Sequence, residues 1–126
     1  MNWTLCGQKN NFFIKKQNKM GYHENKKCID ACLKCAAICN HCAASCLQEP
    51  DPKMMVKCIQ LDMECAAVCY AAVQLMSLGS NKAAELCRIC AAICEECANE
   101  CARHKNVHCK ECSEACSDCA AECKKM

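Results

Sequence analysis

Large aliphatic and aromatic side chains are scarce in this 126-residue sequence: Leu, Ile, Val and Phe together number 19, and aromatics make up 4%. A Leu, Ile, Val and Phe content below roughly 20% indicates disorder when net charge is high. Here the formal charge is only +2, so that condition fails and some other side chain must fill the core. Chain breakers are equally rare. Gly7, Gly21, Gly79, Pro50 and Pro52 are the whole set, which leaves long uninterrupted segments within one domain of ordinary size. No continuous apolar run approaches the roughly 18 residues of a membrane span; the best, Cys65 to Val73, is half that length. Met1 to Met20 contains no apolar core of a signal peptide, no small-residue cleavage pattern and no twin arginine, so the protein is expected to be cytoplasmic and to need no membrane.

A phosphate-tracking basic patch is also missing. The positive charge comes from Lys9, Lys15, Lys16 and Lys19, which face no acid before Glu24; without residues 1–19 the balance is 12 basic to 14 acidic, with signs interspersed. No nucleic-acid partner is expected. Residues 1–21 read as a disordered basic leader, and residues 22–126 as the folded unit.

Cysteine is what the sequence has in abundance: 20 residues, roughly one in six. The few breakers divide the chain into four helices. The first runs from about Tyr22 to Leu47. Asp51 as N-cap and Pro52 at the first helical position start a second, which Gly79 closes near Leu78. Ser80 or Asn81 caps a third, ending near Ala102, and Asn106 caps the fourth. Links of a few residues make neighbours antiparallel, so the expected fold is all-α, an up-down four-helix bundle with a Cys-lined core.

Periodicity supports this more strongly than the breakers do. Cys28, Cys32, Cys35, Cys39, Cys42 and Cys46 are spaced 4, 3, 4, 3, 4, which keeps them on one helix face. Cys87, Cys90, Cys94, Cys97 and Cys101 repeat the pattern, as do Cys109, Cys112, Cys116, Cys119 and Cys123. On the second helix Cys58, Cys65 and Cys69 hold the seam, with Asp62, Ala72 and Met76 at its other positions. Nineteen thiols therefore point inward, and Cys6 stands apart in the leader.

Residues at i and i+4 on a helix have Cβ atoms roughly 5–6 Å apart, whereas a disulfide requires about 3.8 Å. The C-x-x-x-C pairs suit a metal better, because two sulfurs in line across one ion lie about 4.6 Å apart. Soft thiolates at that spacing select a two-coordinate soft cation, and Cu(I) is the biologically common one. Charge agrees: about one Cu(I) per thiolate leaves a buried core near neutrality, a stoichiometry that means storage of multiple ions. Uptake would expel thiol protons. Zinc or cadmium buffering is the main alternative, although zinc sites are discrete and usually carried on turns. An iron-sulfur electron-transfer protein is the other, but the C-x₂-C-x₂-C-x₃-C-P run is absent. No nucleophile, base and orienting group occur as a set, so no enzyme activity is expected.

The run Cys28-Ile-Asp-Ala-Cys-Leu-Lys-Cys-Ala-Ala-Ile-Cys-Asn-His-Cys, the segment Cys58-x-x-Leu-Asp-x-Glu-Cys65 and the turn His104 to Cys109 resemble the bacterial cytosolic copper storage proteins. The resemblance covers about Met20 to Met126. It implies a four-helix bundle holding many Cu(I) ions on cysteine pairs, protection from copper toxicity, and a homotetramer; a copper chaperone would be a further partner. Residues 1–19 depart from the family pattern.

In an up-down bundle Cys46, Met54, Met55, Cys58, Cys101, His104, His108 and Cys109 gather at one mouth. Imidazole and thioether both accept Cu(I), so His104, His108, Met54 and Met55 are candidate ligands at a copper entrance. Asp62 interrupts a row of thiols, where it either coordinates copper or bonds to a neighbouring helix. His41 points about 100° off the seam and is expected at the surface. Ile29, Leu33, Ala36, Ala43 and Leu47 draw a second apolar line on helix one, and helix two is apolar nearly all round (Val56, Ile59, Met63, Ala66, Val68, Tyr70, Val73 and Leu75), a pattern that predicts self-association.

Overall fold

In the computed structural model, residues 21–126 are described. They form α1 (Lys26–Leu47), α2 (Val56–Leu78), α3 (Ala83–Cys101) and α4 (Val107–Lys124), with a 3-10 turn at Pro52–Met55 leading into α2. No strand occurs among the described residues, in agreement with the all-α expectation. Residues 1–20, which make up nearly all of the expected leader, and Cys6 with them, lie outside the described residues. Gly21 is buried, and its carbonyl accepts the Asn25 N–H at 3.1 Å.

Contacts between thiols read out the topology directly. Along α1 and α4, Cys28 meets Cys123 (3.6 Å), Cys35 meets Cys116 (3.7 Å), Cys39 meets Cys112 (3.7 Å) and Cys42 meets Cys109 (4.0 Å), so the two helices run antiparallel. The same descending register joins α2 to α3 through Cys58–Cys101, Cys65–Cys94 and Cys69–Cys90. α1 and α2 are also antiparallel, through Cys35–Cys65 and Cys46–Cys58. The links between helices are short, as an up-down bundle requires.

Several helix ends differ from the sequence expectation. α1 begins at Lys26 rather than Tyr22, because residues 21–25 form turns in which the Tyr22 ring engages His23 edge-on and lies under the Lys26 ammonium. The second helix opens as 3-10 and becomes α only at Val56. Asp51 and Asn106 sit at N-cap positions, but neither side chain bonds to the helix it precedes. α3 starts after Lys82, and Ser80 caps only the preceding turn, its Oγ accepting the Lys82 N–H at 3.1 Å. Gly79 behaves as expected. With φ 66° and ψ 33° it adopts the left-handed conformation that lets the Gly79 and Ser80 N–H groups close on Met76 and Leu75.

The core is built from small side chains. All nineteen seam cysteines are buried, Cys28 being the most exposed at 4%. Around them pack Ala36, Ala66, Ala72, Ala91, Ala98 and Ala120, with Ile29, Leu61, Met55 and Met76 as the larger fillers. Helices lined by Cys and Ala approach closely, and sulfurs therefore meet even across the bundle diagonal, Cys65–Cys116 at 3.9 Å and Cys69–Cys119 at 3.8 Å. Outside, ion pairs such as Lys26–Asp30, Lys82–Glu85 and Lys124–Glu95 occupy solvated faces.

The segment Pro52–Leu78 corrects one expectation. Its most apolar stretch has a mean hydropathy of 1.3, and the segment is long and apolar enough to cross a membrane by length and composition. Uninterrupted apolar runs understate it because Asp62 and Glu64 break the run without breaking the helix. Here it serves as a core helix whose seam, Asp62 included, is turned to the other three helices. Val56, Met63, Tyr70 and Leu78 remain on its exposed side.

Candidate metal centre

All nineteen cysteines among the described residues are free and buried, and eighteen of them, all but Cys87, lie within 4.0 Å of another sulfur. Five of the eight i, i+4 pairs have Sγ atoms in contact, at 3.9 Å (Cys35–Cys39), 3.9 Å (Cys42–Cys46), 3.8 Å (Cys90–Cys94), 4.0 Å (Cys97–Cys101) and 3.8 Å (Cys112–Cys116). An S–S bond is about 2.05 Å, so these are thiols in contact. They fall a little short of the roughly 4.6 Å of an in-line S–metal–S unit, a gap that small side-chain rotations close.

Between helices the thiols gather in fours. Cys32, Cys90, Cys119 and Cys123 form one group; Cys35, Cys69, Cys94 and Cys119 another; Cys35, Cys39, Cys65 and Cys116 a third; Cys39, Cys97, Cys112 and Cys116 a fourth; Cys42, Cys46, Cys58 and Cys109 a fifth, the sulfurs in each lying within 4.8 Å of one another. The sharing of members matters most. Cys35, Cys39, Cys116 and Cys119 each belong to two of these groups, so the first four groups are linked through shared sulfurs that are placed to bridge ions. At the bundle end burial opposes ionisation of two thiols: it drives Cys46 up and pushes Cys109 up to about 12.

Asp62 lies in the middle of this sulfur column and is fully buried. Its Oδ1 accepts from Cys112 (3.1 Å), Cys97 (3.2 Å) and Cys101 (3.6 Å), and its Oδ2 from Cys58 (3.8 Å). It thus joins α2 to α3 and α4, the neighbouring-helix contact that was one of its two expected roles. Burial, followed by the charge of Cys112, pushes its carboxyl up to about 8.

The mouth forms where expected, and its candidate residues separate there. Cys58 and Cys101 touch at 3.4 Å. His108 turns Nδ1 toward Cys42 (3.5 Å), Cys109 (3.5 Å) and Cys46 (3.9 Å). His104 is held differently: its Nε2 donates to Glu100 at 2.9 Å, and the nearly buried Glu100 also faces Arg103 and Lys57. Among the described residues no thiol hydrogen-bonds to His104. Met55 is buried at the bundle end while Met54 is 71% exposed, and His41 is exposed.

Two residues at the mouth escaped the sequence reading. Glu49 accepts from both His108 Nε2 and Asn106 Nδ2 at 2.9 Å. Glu49-Pro50 carries only a turn signal, and Asn106 only a cap signal, so nothing in the sequence joins them to His108.

A four-helix bundle whose axis is a column of buried free thiols, with an imidazole at one end, defines a protein that takes up multiple soft metal ions in its interior. The family profile for Csp, copper storage protein, matches residues 22–126. The chain belongs to the copper storage protein family. It is 43% identical over 84 residues to YhjQ, an uncharacterized cysteine-rich protein of Bacillus subtilis (strain 168), a match covering 67% of this chain and 78% of that one. The structure of the Cu(I)-bound copper storage protein BsCsp3 superposes with a TM-score of 0.78 at 44% identity, covering 80% of this chain and 95% of that one. The Streptomyces lividans copper storage protein Ccsp, loaded with 10 copper equivalents, gives 0.81 at 36% identity, covering 86% and 87%. A storage family, rather than an enzyme family, thus accounts for the whole bundle.

Proposed function

We propose that this protein stores and sequesters Cu(I), taking many ions per chain onto the thiolates of its bundle core, and that it does so in the cytosol, limiting copper toxicity and holding copper for later supply. The observation that carries the reading is the sharing of Cys35, Cys39, Cys116 and Cys119 between adjacent four-thiol groups. Shared sulfurs favour a chain of two- and three-coordinate ions over separate tetrahedral sites, and one Cu(I) per thiolate keeps the core near neutrality. Each ion displaces a thiol proton as it binds.

In this reading the nineteen seam cysteines carry the copper. His108 stands at the entrance as a ligand for arriving ions, with His104 and Glu100 at its rim. Met55 lines the same end, Met54 offers an exposed thioether, and Asp62 holds the central thiols in place or joins them as an oxygen donor. Residues 22–126 form the storage domain, and residues 1–21 act as a separate basic leader. The exposed Val56, Met63, Tyr70 and Leu78 on α2, with Leu33 and Leu47 on α1, are the faces on which copies of the chain pack into a tetramer. A copper chaperone delivers the metal.

An anaerobic titration of reduced protein against a chromophoric Cu(I) chelator tests the reading. Saturation near one ion per thiol is expected; saturation at one or a few ions refutes storage. Zinc or cadmium buffering predicts stronger competition by those ions than by Cu(I), and an iron-sulfur centre predicts a brown protein where the Cu(I) form is colourless. Sedimentation showing only 14 kDa species would remove the tetramer.

A further inference from the structure

The turn between α1 and α2 reaches across the mouth to α4 through one residue. Glu49 Oε1 receives two hydrogen bonds at 2.9 Å, from His108 Nε2 and from Asn106 Nδ2. Both side chains are largely shielded, His108 being 13% exposed and Glu49 28%. Asn106 occupies the N-cap position of α4 with extended backbone, yet its side chain makes no bond to the helix. A residue type favoured as a cap for its bond to the helix here directs its amide to Glu49 instead.

This arrangement has a chemical consequence for the imidazole. A carboxylate oxygen only accepts, so the Nε2 that faces it carries the ring proton. In the neutral ring the other nitrogen, Nδ1, then holds a free lone pair. That lone pair lies 3.5 Å from the sulfurs of Cys42 and Cys109 and 3.9 Å from Cys46. Typical metal–nitrogen and metal–sulfur bonds of about 2.0 and 2.3 Å span such a gap at a bent angle without ring movement. The opposite tautomer would place an N–H against the thiols and offer nothing to an arriving cation.

We propose that Glu49, itself held by Asn106, is a positioning residue that locks His108 in the Nε2–H tautomer and aims Nδ1 into the Cys42, Cys46 and Cys109 thiols, so that the first Cu(I) ions cross the mouth quickly. The inference rests on the copper-storage reading and adds residues that touch no copper themselves. Carboxylate or carbonyl partners on the outer nitrogen of a ligating histidine orient the ring and raise its basicity, and their loss typically costs 10–100-fold in affinity or activity. Glu100 accepts from His104 in the same way from the end of α3, but no thiol hydrogen-bonds to that ring among the described residues.

The experiment uses the full chain, reduced, metal-free and labelled with ¹⁵N in histidine, as wild type, Glu49→Ala and Glu49→Gln. The ¹⁵N shifts of His108 distinguish a protonated from an unprotonated ring nitrogen. Wild type is expected to show Nε2–H alone; Glu49→Ala should show both tautomers, and Glu49→Gln, whose amide oxygen still accepts, should return toward wild type. Stopped-flow transfer of the first Cu(I) equivalents from a chelator should slow about tenfold in Glu49→Ala, with total capacity unchanged. An unaltered tautomer in Glu49→Ala overturns the proposal, whether or not transfer slows, because slowing without a tautomer change is a merely structural effect. A wild-type capacity of only a few ions would sink the storage reading, while the tautomer result would still decide the role of Glu49.

Discussion

Replacing Asp62 by asparagine should abolish one component of the pH dependence of metal-free stability. The carboxyl is fully buried, and burial, with the charge of Cys112 next, pushes it up to about 8 from an ordinary value of 3.8. Between those values the folded state holds a proton that the unfolded chain has released. The stabilisation is therefore complete below 3.8 and is lost as pH rises through about 8, at about 1.4 kcal/mol per pH unit. From pH 5 to pH 7 the wild type should lose at most about 3 kcal/mol through this one group, a large share of the 5–15 kcal/mol typical of a small domain. Asp62→Asn keeps an oxygen acceptor near Cys112 and Cys97, now at 3.1 and 3.2 Å from Oδ1, and cannot ionise. Urea unfolding of reduced, metal-free wild type and variant, followed by far-UV circular dichroism, measures the difference. The window stays below the pKa of about 8.5 at which cysteines of an unfolded chain ionise, and all other carboxylates cancel in the subtraction. The variant should gain on the wild type by about one proton's worth of slope. A difference between the two that stays constant from pH 5 to pH 7 would refute the reasoning.

Loading at neutral pH should release protons, since thiols such as Cys109, pushed up to about 12, enter the reaction protonated; a pH-stat reading of no release would show that the thiols were already ionised. Met76 is fully buried at the end of the α2 seam whereas Met54 is 71% exposed, so Met76→Ala should cost about 2–5 kcal/mol in the metal-free protein and Met54→Ala no more than about 0.5 kcal/mol. Equal shifts of the urea midpoint would contradict that placement. The folded core presents its thiols already gathered and should bind copper more tightly than the unfolded chain does, so loading should raise the thermal midpoint and a stronger Cu(I) chelator should reverse the rise; an unchanged midpoint would mean that the folded core holds no such advantage.

The seams were legible because a 3.5-residue repeat admits one geometric reading on a helix. Each of the nineteen cysteines placed inward by spacing is buried, and Gly79 ends α2 where a left-handed residue was called for. Helix starts were less legible. Asp51 and Asn106 have the right residue types at the right positions, yet neither caps its helix, because side-chain bonding at a bundle end depends on which residues the other helices bring there. The same limit applies at the mouth. His104 and His108 look alike in sequence, four residues apart beside seam cysteines, but His108 faces thiols and His104 faces Glu100.

What the sequence alone determined is the material of the core and its arrangement along each helix: thiols at seam positions where aliphatics are normally found, and hence an interior built for soft metal. That information is one-dimensional, and periodicity carries it completely. Only the tertiary structure decided how the four seams interlock. The register of antiparallel helices sets which sulfurs are shared between groups, brings Asp62 of α2 against thiols of α3 and α4, and lays Glu49 from one turn beside His108 of a helix 59 residues later. Those relations depend on the relative shift and rotation of packed helices, which no spacing within a single helix can encode.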